Sequence, residues 1–520
     1  MQVTQDYNNR QLNLFSTNFS DYLNMSDPLC KLADKIDWNQ MCQDLPELYS
    51  NLGRSAISFR TMVGLEAIKF IYNLSDRGVI DAFLHNPYIQ YFCGNNVFST
   101  EAPCDSTTLS NFRKRLGEEG YERIFKESFN IHGKELPKDV YLDTTVACKN
   151  IKYPTDNNLL SRAIDYCHRI AKEYNIKLKN TYKKELKKIM RTIRFEKNKK
   201  NTSECKKAHK RLHTIAGILI REIERKLDIE NKEKLDELIN ILNQIYEQTK
   251  PKTLHNEAKK INNKIQELNQ LFEQLISIAK KSNIEIEDNF CSERDALNNE
   301  YLELKGKNKR ENMRKIESKI LKLLKKLYEK IQNTNSDESN QDLTVIKSIL
   351  EKWNKDKKIY SIHEPHVRAI AKGKDNVKYE YGAKVAVAVT SDNIIVGVAS
   401  FSDNPHDSKT VRETLDSIKK STSSEAEEAY ADRGYRGSIN IALPTKMHIP
   451  NCKNDNNEKK EILKEKFARR SAIEPIIGHL KNDHRLRRVY LKGIFGDKVN
   501  ILMASAAFNF KKWCNNELKE

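Results

Sequence analysis

The spacing of apolar residues along the chain changes period several times, and each change marks a different kind of element. Met62, Leu65, Ile68, Ile71 and Leu74 recur at three-residue intervals, which predicts a helix. A second helix is expected in "CDSTTLSNFRKRLGEEGYERIF", with Asp105 or Ser106 as its N-cap. The pattern then shortens to a run of β-branched and aromatic residues, "KDVYLDTTVACKN", which predicts a strand of about six residues around Asp143. Between 157 and 356 helical spacing returns: Leu212, Ile215, Leu219, Ile223 and Leu227; Ile261, Ile265, Leu268, Phe272 and Leu275; Ile316, Ile320, Leu323 and Leu327. These stripes predict amphipathic helices folded back on one another as antiparallel, coiled-coil-like arms.

Strand signals resume after 357. "YEYGAKVAVAVTSDNIIVGVASF" reads as a hairpin turning at Ser391, Asp392 and Asn393. A helix follows in "HDSKTVRETLDSIKK", then a strand in "EEAYADRGYRG" carrying Asp432, then a basic helix holding Glu474. Excising the long helical stretch leaves an α/β domain. The expected organisation is a helical N-terminal domain over 1–135, which could hold DNA or serve only for packing, and an α/β domain in two parts, 136–156 and 357–520. A basic helical insertion over 157–356 separates those parts.

Charge narrows the function. The 520 residues carry a formal net charge of +19, which favours a polyanionic partner such as nucleic acid. Ten cysteines without a Cys-x-x-Cys pair argue against a zinc site and fit a reducing cytosol. No signal-peptide pattern opens the chain and no apolar run reaches membrane-spanning length, so the expectation is a cytoplasmic protein without membrane contact.

Against that basic background three acids stand out. Asp143 and Asp432 lie on predicted strands and Glu474 on the following helix, where Phe467, Arg470, Glu474 and Lys481 share one face if the helix is continuous. Carboxylates suit hard divalent ions, and two such ions can activate a water or a 3′-hydroxyl for attack on a phosphodiester. Read alone, each acid could equally be a cap, a turn residue or a surface ion-pair partner.

The ordered set "YLDTTV", "KNIKYPTDNNLL", "IYSIHEPHVRAIAKGK", "YEYGAKVAVAV", "NPHDSKTV", "YADRGYRG" and "RRSAIEPIIGHLKNDHRLRRVYLKGIFGDKVNILMASAAFNF" resembles bacterial insertion-sequence transposases with an Asp-Asp-Glu active site. In that group the third acid lies in a Tyr-x2-Arg-x3-Glu-x6-Lys signature, which reads Phe467, Arg470, Glu474, Lys481 here, with Phe in place of Tyr. The resemblance implies an RNase H-like catalytic domain, a mixed sheet with flanking helices, interrupted by an all-α insertion. It implies Asp143, Asp432 and Glu474 as catalytic residues and ligands of two Mg2+ ions, with Mn2+ as a substitute. Arg470 and Lys481 would contact phosphates of the transposon end, and Arg433, His479 and Arg485 are expected to bind DNA beside them. The implied partners are the double-stranded terminal inverted repeats and target DNA, bound by a homodimer associated with the bacterial nucleoid. Two alternatives remain: a nuclease on the same scaffold that cuts without joining, and a non-catalytic DNA-binding protein.

Overall fold

The structure, a computed structural model, describes residues 18–42, 57–135, 137–195, 203–251, 254–281, 288–304, 309–334, 358–371, 379–437, 443–450 and 457–518. The chain divides into two compact units, Met1–Pro154 with His363–Glu520, and Thr155–Ile362.

Among the described residues, the first unit opens with the α-helices α1 (Pro28–Lys35), α2 (Trp38–Cys42), α3 (Phe59–Ile71), α4 (Asp76–His85), α5 (Pro87–Phe92) and α6 (Ser106–Asn130). The helix expected from Met62 onward is α3, but it stops before Leu74, because Asn73 takes a left-handed φ of 55°. All its residues are buried, including Arg60, Glu66 and Lys69. Buried charges need partners. Glu66 lies 2.6 Å from Arg113, Lys69 lies 2.7 Å from Asp76, which Arg113 also meets at 2.6 Å, and Arg60 donates to the Ala33 carbonyl at 3.4 Å. Asp105 caps α6 by accepting from the amides of Thr107 and Thr108 at 2.7 and 2.9 Å. Strand β1 (Asp139–Cys148) follows and is longer than its sequence run suggested, because it pairs with a partner strand from Val140 to Cys148.

The second unit contains α7 (Asp156–Glu173), α8 (Lys183–Phe195), α9 (Ser203–Lys226), α10 (Ile229–Gln248), α11 (Leu254–Lys281), α12 (Asp288–Leu302) and α13 (Lys309–Thr334). Among the described residues, two separate cores hold it together. The stripe from Leu212 to Leu227 packs with Leu160 and Ile164 of α7. The Ile261–Leu275 stripe packs with Ile316, Ile320, Leu323 and Leu327. The basic stretch that runs through α8 into α9 also includes 196–202, which fall outside the described residues.

Back in the first unit come β2 (Arg368–Ile370), β3 (Glu380–Thr390), β4 (Ile395–Phe401), α14 (Val411–Thr422), β5 (Glu428–Tyr430), β6 (Lys446–His448), α15 (Asn457–Arg470), α16 (Ile473–Asn482) and α17 (Gly493–Glu517). The strands form one mixed sheet in the order β2-β3-β1-β5-β6, with β4 also paired to β3. The β3, β1 and β4 pairings are antiparallel, whereas β1, β5 and β6 run parallel. Asn393, at φ 64°, turns the β3–β4 hairpin where the sequence placed it. Gly382 admits no side chain, since a Cβ there would lie 1.9 Å from the Ala147 carbonyl oxygen of β1. Helix α17 covers one face of the sheet, packing on β4 and on α1, α3 and α6. Its buried Asn509 exchanges two hydrogen bonds with the Ile395 backbone, at 3.0 and 2.9 Å. The N-terminal helices and this sheet face thus share one core, and α14 covers the opposite face with Val411 and Ile418.

Candidate active site

Parallel pairing of β1 with β5 ends at Tyr141 opposite Tyr430. Asp143 and Asp432 each lie two residues beyond that last pair, so both carboxylates arise where the two parallel strands part. Such a divergence opens a crevice at the strand ends of an α/β sheet. Asp143 remains within β1, where its Oδ1 accepts from the Thr144 amide at 2.7 Å and its Oδ2 lies 3.5 Å from Nη1 of Arg470.

Two sequence expectations need correction. Asp432 is not carried by the strand, because β5 ends at Tyr430; it caps a short 3-10 turn, Arg433–Tyr435, accepting from the Gly434 amide at 2.8 Å. Nor do Phe467, Arg470, Glu474 and Lys481 share a face of one helix. Helix α15 ends at Arg470, Ser471 and Ala472 turn the chain, and α16 restarts at Ile473. Pro475 explains the restart: in the first turn of α16 its missing N–H leaves no hydrogen bond unmade. Glu474 is therefore a first-turn residue, exposed, on a helix that packs against β1. Phe467 meets Tyr430 edge-on with ring centroids 6.0 Å apart, and Lys481 lies 4.0 Å from Glu380.

Sequence reasoning missed two members of the site. Tyr435 is buried, and burial pushes its hydroxyl well above its usual pKa, with Asp143, Asp407 and Asp432 adding to the rise. Asp407, at the start of a 3-10 turn spanning Asp407–Lys409, accepts from Thr144 Oγ1 and from Lys384 Nζ, each at 2.9 Å. The segment "NPHDSKTV" is the available signal, since it sets an acid directly before a helix, but in the sequence it marks only a helix start and one motif of the family resemblance.

The remaining expected DNA contacts divide. Arg433 is exposed in the Asp432 turn. His479 is exposed on α16 and its Nδ1 lies 2.7 Å from Asp483 Oδ2. Arg485 is tied inward: at φ 66° it directs Nη1 to the carbonyls of Asn73, at 3.2 Å, and Leu74, and burial lowers its pKa.

The residues suit a hard divalent ion in kind, since Asp143, Asp407, Asp432 and Glu474 offer only oxygen donors. Among the described residues, however, no group of three or more His, Cys, Asp or Glu side chains is already arranged to hold an ion. Arg470 and Lys384 instead provide positive charge beside Asp143 and Asp407.

Comparison with known proteins identifies the family. Residues 17–115 match the family described as Transposase domain (DUF772), and residues 356–510 match Transposase DDE domain. A relative from Rhizobium meliloti, named Uncharacterized protein ORF8 in nfe locus, is 36% identical over 175 residues, covering 32% of this chain and 84% of the relative. No solved structure matches. The DDE domain implies an RNase H-like fold, consistent with the mixed sheet, and members of its family use divalent metal ions. With one family match inside the first unit and nearly all of the other in it, the chain belongs to the DDE transposases, enzymes that cleave DNA and transfer its strands.

Proposed function

We propose that this transposase binds the ends of an insertion sequence, hydrolyses the phosphodiester at each end and joins the freed 3′-hydroxyl to target DNA. The observation that carries the reading is the matched position of Asp143 and Asp432, each two residues past the last β1–β5 pair. Glu474 joins them from α16, which packs on β1. These three carboxylates would hold two divalent ions, Mg2+ or Mn2+, which supply charge neutralisation and an activated oxygen nucleophile when bound.

The chain's own side chains position the DNA. Arg470 extends from the end of α15 toward Asp143 and offers a planar fork to a phosphate, whereas Lys481 offers a point charge. Arg433 and His479 present exposed donors on the same turn and helix that carry Asp432 and Glu474. The helical region 1–135 and the all-α insertion 157–356, with its basic stretch across α8 and α9, add DNA-binding surface on a homodimer working at the nucleoid. Among the described residues no helix is long and apolar enough to cross a membrane.

The test uses a plasmid carrying the DNA that flanks the gene. Asp143→Asn, Asp432→Asn and Glu474→Gln should each abolish Mg2+-dependent cleavage while retaining DNA binding, and a pre-cleaved 3′-hydroxyl end should be joined to target by the wild type. Wild-type cleavage by Asp432→Asn would overturn the assignment. Cleavage without joining would reduce the activity to that of a nuclease.

A further inference from the structure

We propose that Asp407 is a positioning residue for the reaction: anchored to β1 and β3, it fixes the turn bearing Asp432 at a set distance from Asp143. The inference rests on the reading of Asp143 and Asp432 as ion-holding carboxylates.

The anchor has three parts. Oδ1 of Asp407 receives Thr144 Oγ1 and Lys384 Nζ at 2.9 Å each, and Lys384 also donates to the Pro405 carbonyl at 2.6 Å. Strand alternation sends Thr144 to the face opposite Asp143, so Asp407 grips β1 from behind its reactive residue. The Asp407 carbonyl accepts from the amide and hydroxyl of Thr410 at 3.0 and 2.7 Å, which holds the turn itself in place.

Oδ2 meets the turn of Asp432. A Cβ built on Gly434 would lie 3.0 Å from Asp407 Oδ2 and 3.0 Å from Asp432 Oδ1, so these oxygens lie within about 6 Å of one another with only a glycine between. Gly437 repeats the arrangement one step on, where a Cβ would lie 3.0 Å from the Ser408 Cβ and 3.1 Å from its Oγ. Two 3-10 turns are thus seated against each other through two glycines. Like charges this close repel, and the largely buried Lys384 offsets the charge of Asp407. Outer residues of this kind orient carboxylate ligands, and their loss typically weakens metal affinity about 10- to 100-fold.

Full-length Asp407→Asn, Thr144→Val and Asp432→Asn are compared with wild type on the flanking-DNA plasmid. Free Mn2+ is measured by electron paramagnetic resonance in the protein–DNA mixture, alongside the Mn2+ dependence of cleavage and thermal unfolding. Asp407→Asn should fold and bind DNA while its half-saturating Mn2+ rises about ten-fold or more, by resonance and by cleavage alike. Thr144→Val should shift both readouts in the same direction by a smaller factor, and it carries the test if Asp407→Asn does not fold. A half-saturating Mn2+ within about two-fold of wild type in the folded variant overturns the inference, even if the rate falls. Failure of the underlying reading looks different, since Asp432→Asn would then cleave normally.

Discussion

Replacing Gly434 with alanine tests the spacing of the two turns with one methyl group. The backbone tolerates the change, because Gly434 is not among the glycines held at positive φ. The methyl carbon would sit 3.0 Å from Oδ2 of Asp407 and 3.0 Å from Oδ1 of Asp432, where ordinary contact begins at 3.4 Å. Each oxygen must retreat by a few tenths of an ångström, separating the carboxylates by about half an ångström in total. Misplacing reacting groups by about 1 Å can lower rate about 100-fold, so half that displacement implies about ten-fold, or about 1.4 kcal/mol in the barrier. The stability change should be about 1 kcal/mol or less, because carboxylate ends can swing. The assay is single-turnover cleavage of end DNA at saturating Mg2+, with urea unfolding as a control. Gly478→Ala provides the contrast: nothing lies within 4 Å of a Cβ there, and within α16 the change should stabilise the helix by about 0.5–1 kcal/mol. A folded Gly434→Ala enzyme cleaving at the wild-type rate would refute the argument that this glycine sets the carboxylate spacing.

Further outcomes follow from buried charge. Lys149 and Asp497 are each 2% exposed, 2.6 Å apart, with Glu364 at 3.6 Å, so Lys149→Met should destabilise the first unit by about 3–5 kcal/mol in urea melts. A loss below about 1 kcal/mol would show that water reaches the stranded acids. Burial holds His132 down to about 4 from the usual 6.5, so the unfolded chain gains a proton first as pH falls. The His132 contribution should be constant above about pH 6.5 and be lost between about 6.5 and 4, by up to about 3 kcal/mol, and His132→Gln should reduce the slope of urea midpoints in that window, leaving the part that buried His484 adds. Arg433→Ala should reduce the log–log salt slope of DNA binding by about 0.9, as loss of one phosphate contact requires. Arg485→Ala should instead lower stability by about 1–3 kcal/mol, because the Asn73 and Leu74 carbonyls lose a donor, and leave the slope unchanged.

Local pattern made some elements readable and hid others. The β3–β4 hairpin was legible because its turn residues are the ones that accept a left-handed φ, as Asn393 does. The shared face of the signature presupposes an unbroken helix, whereas Pro475 in the sequence itself points to a helix start or kink there, which is where α16 begins. Asp143 and Asp432 could be singled out as acids at predicted strands, but their matched offset from the last β1–β5 pair requires the register. Asp407 was not legible, because its ties to Thr144 and Lys384 span 263 and 23 residues and leave no periodic trace. Arg485 stands in a basic stretch of the sequence, and only the fold reveals the Asn73 and Leu74 carbonyls that its Nη1 meets. Helix α3 showed its apolar period, while its burial on every side depends on Arg113, 47 residues from Glu66.

The packing of α17 against α1, α3 and α6 has a consequence for synthesis. A ribosome delivers those three helices hundreds of residues before the segment that seals them, so the catalytic unit can close only once the final helix has emerged. A message broken between His363 and Gly493 would yield a chain whose second compact unit is complete but whose first unit lacks the helix that finishes its core. Premature termination in that interval would in this way silence DNA cleavage while leaving the helices of the second unit behind.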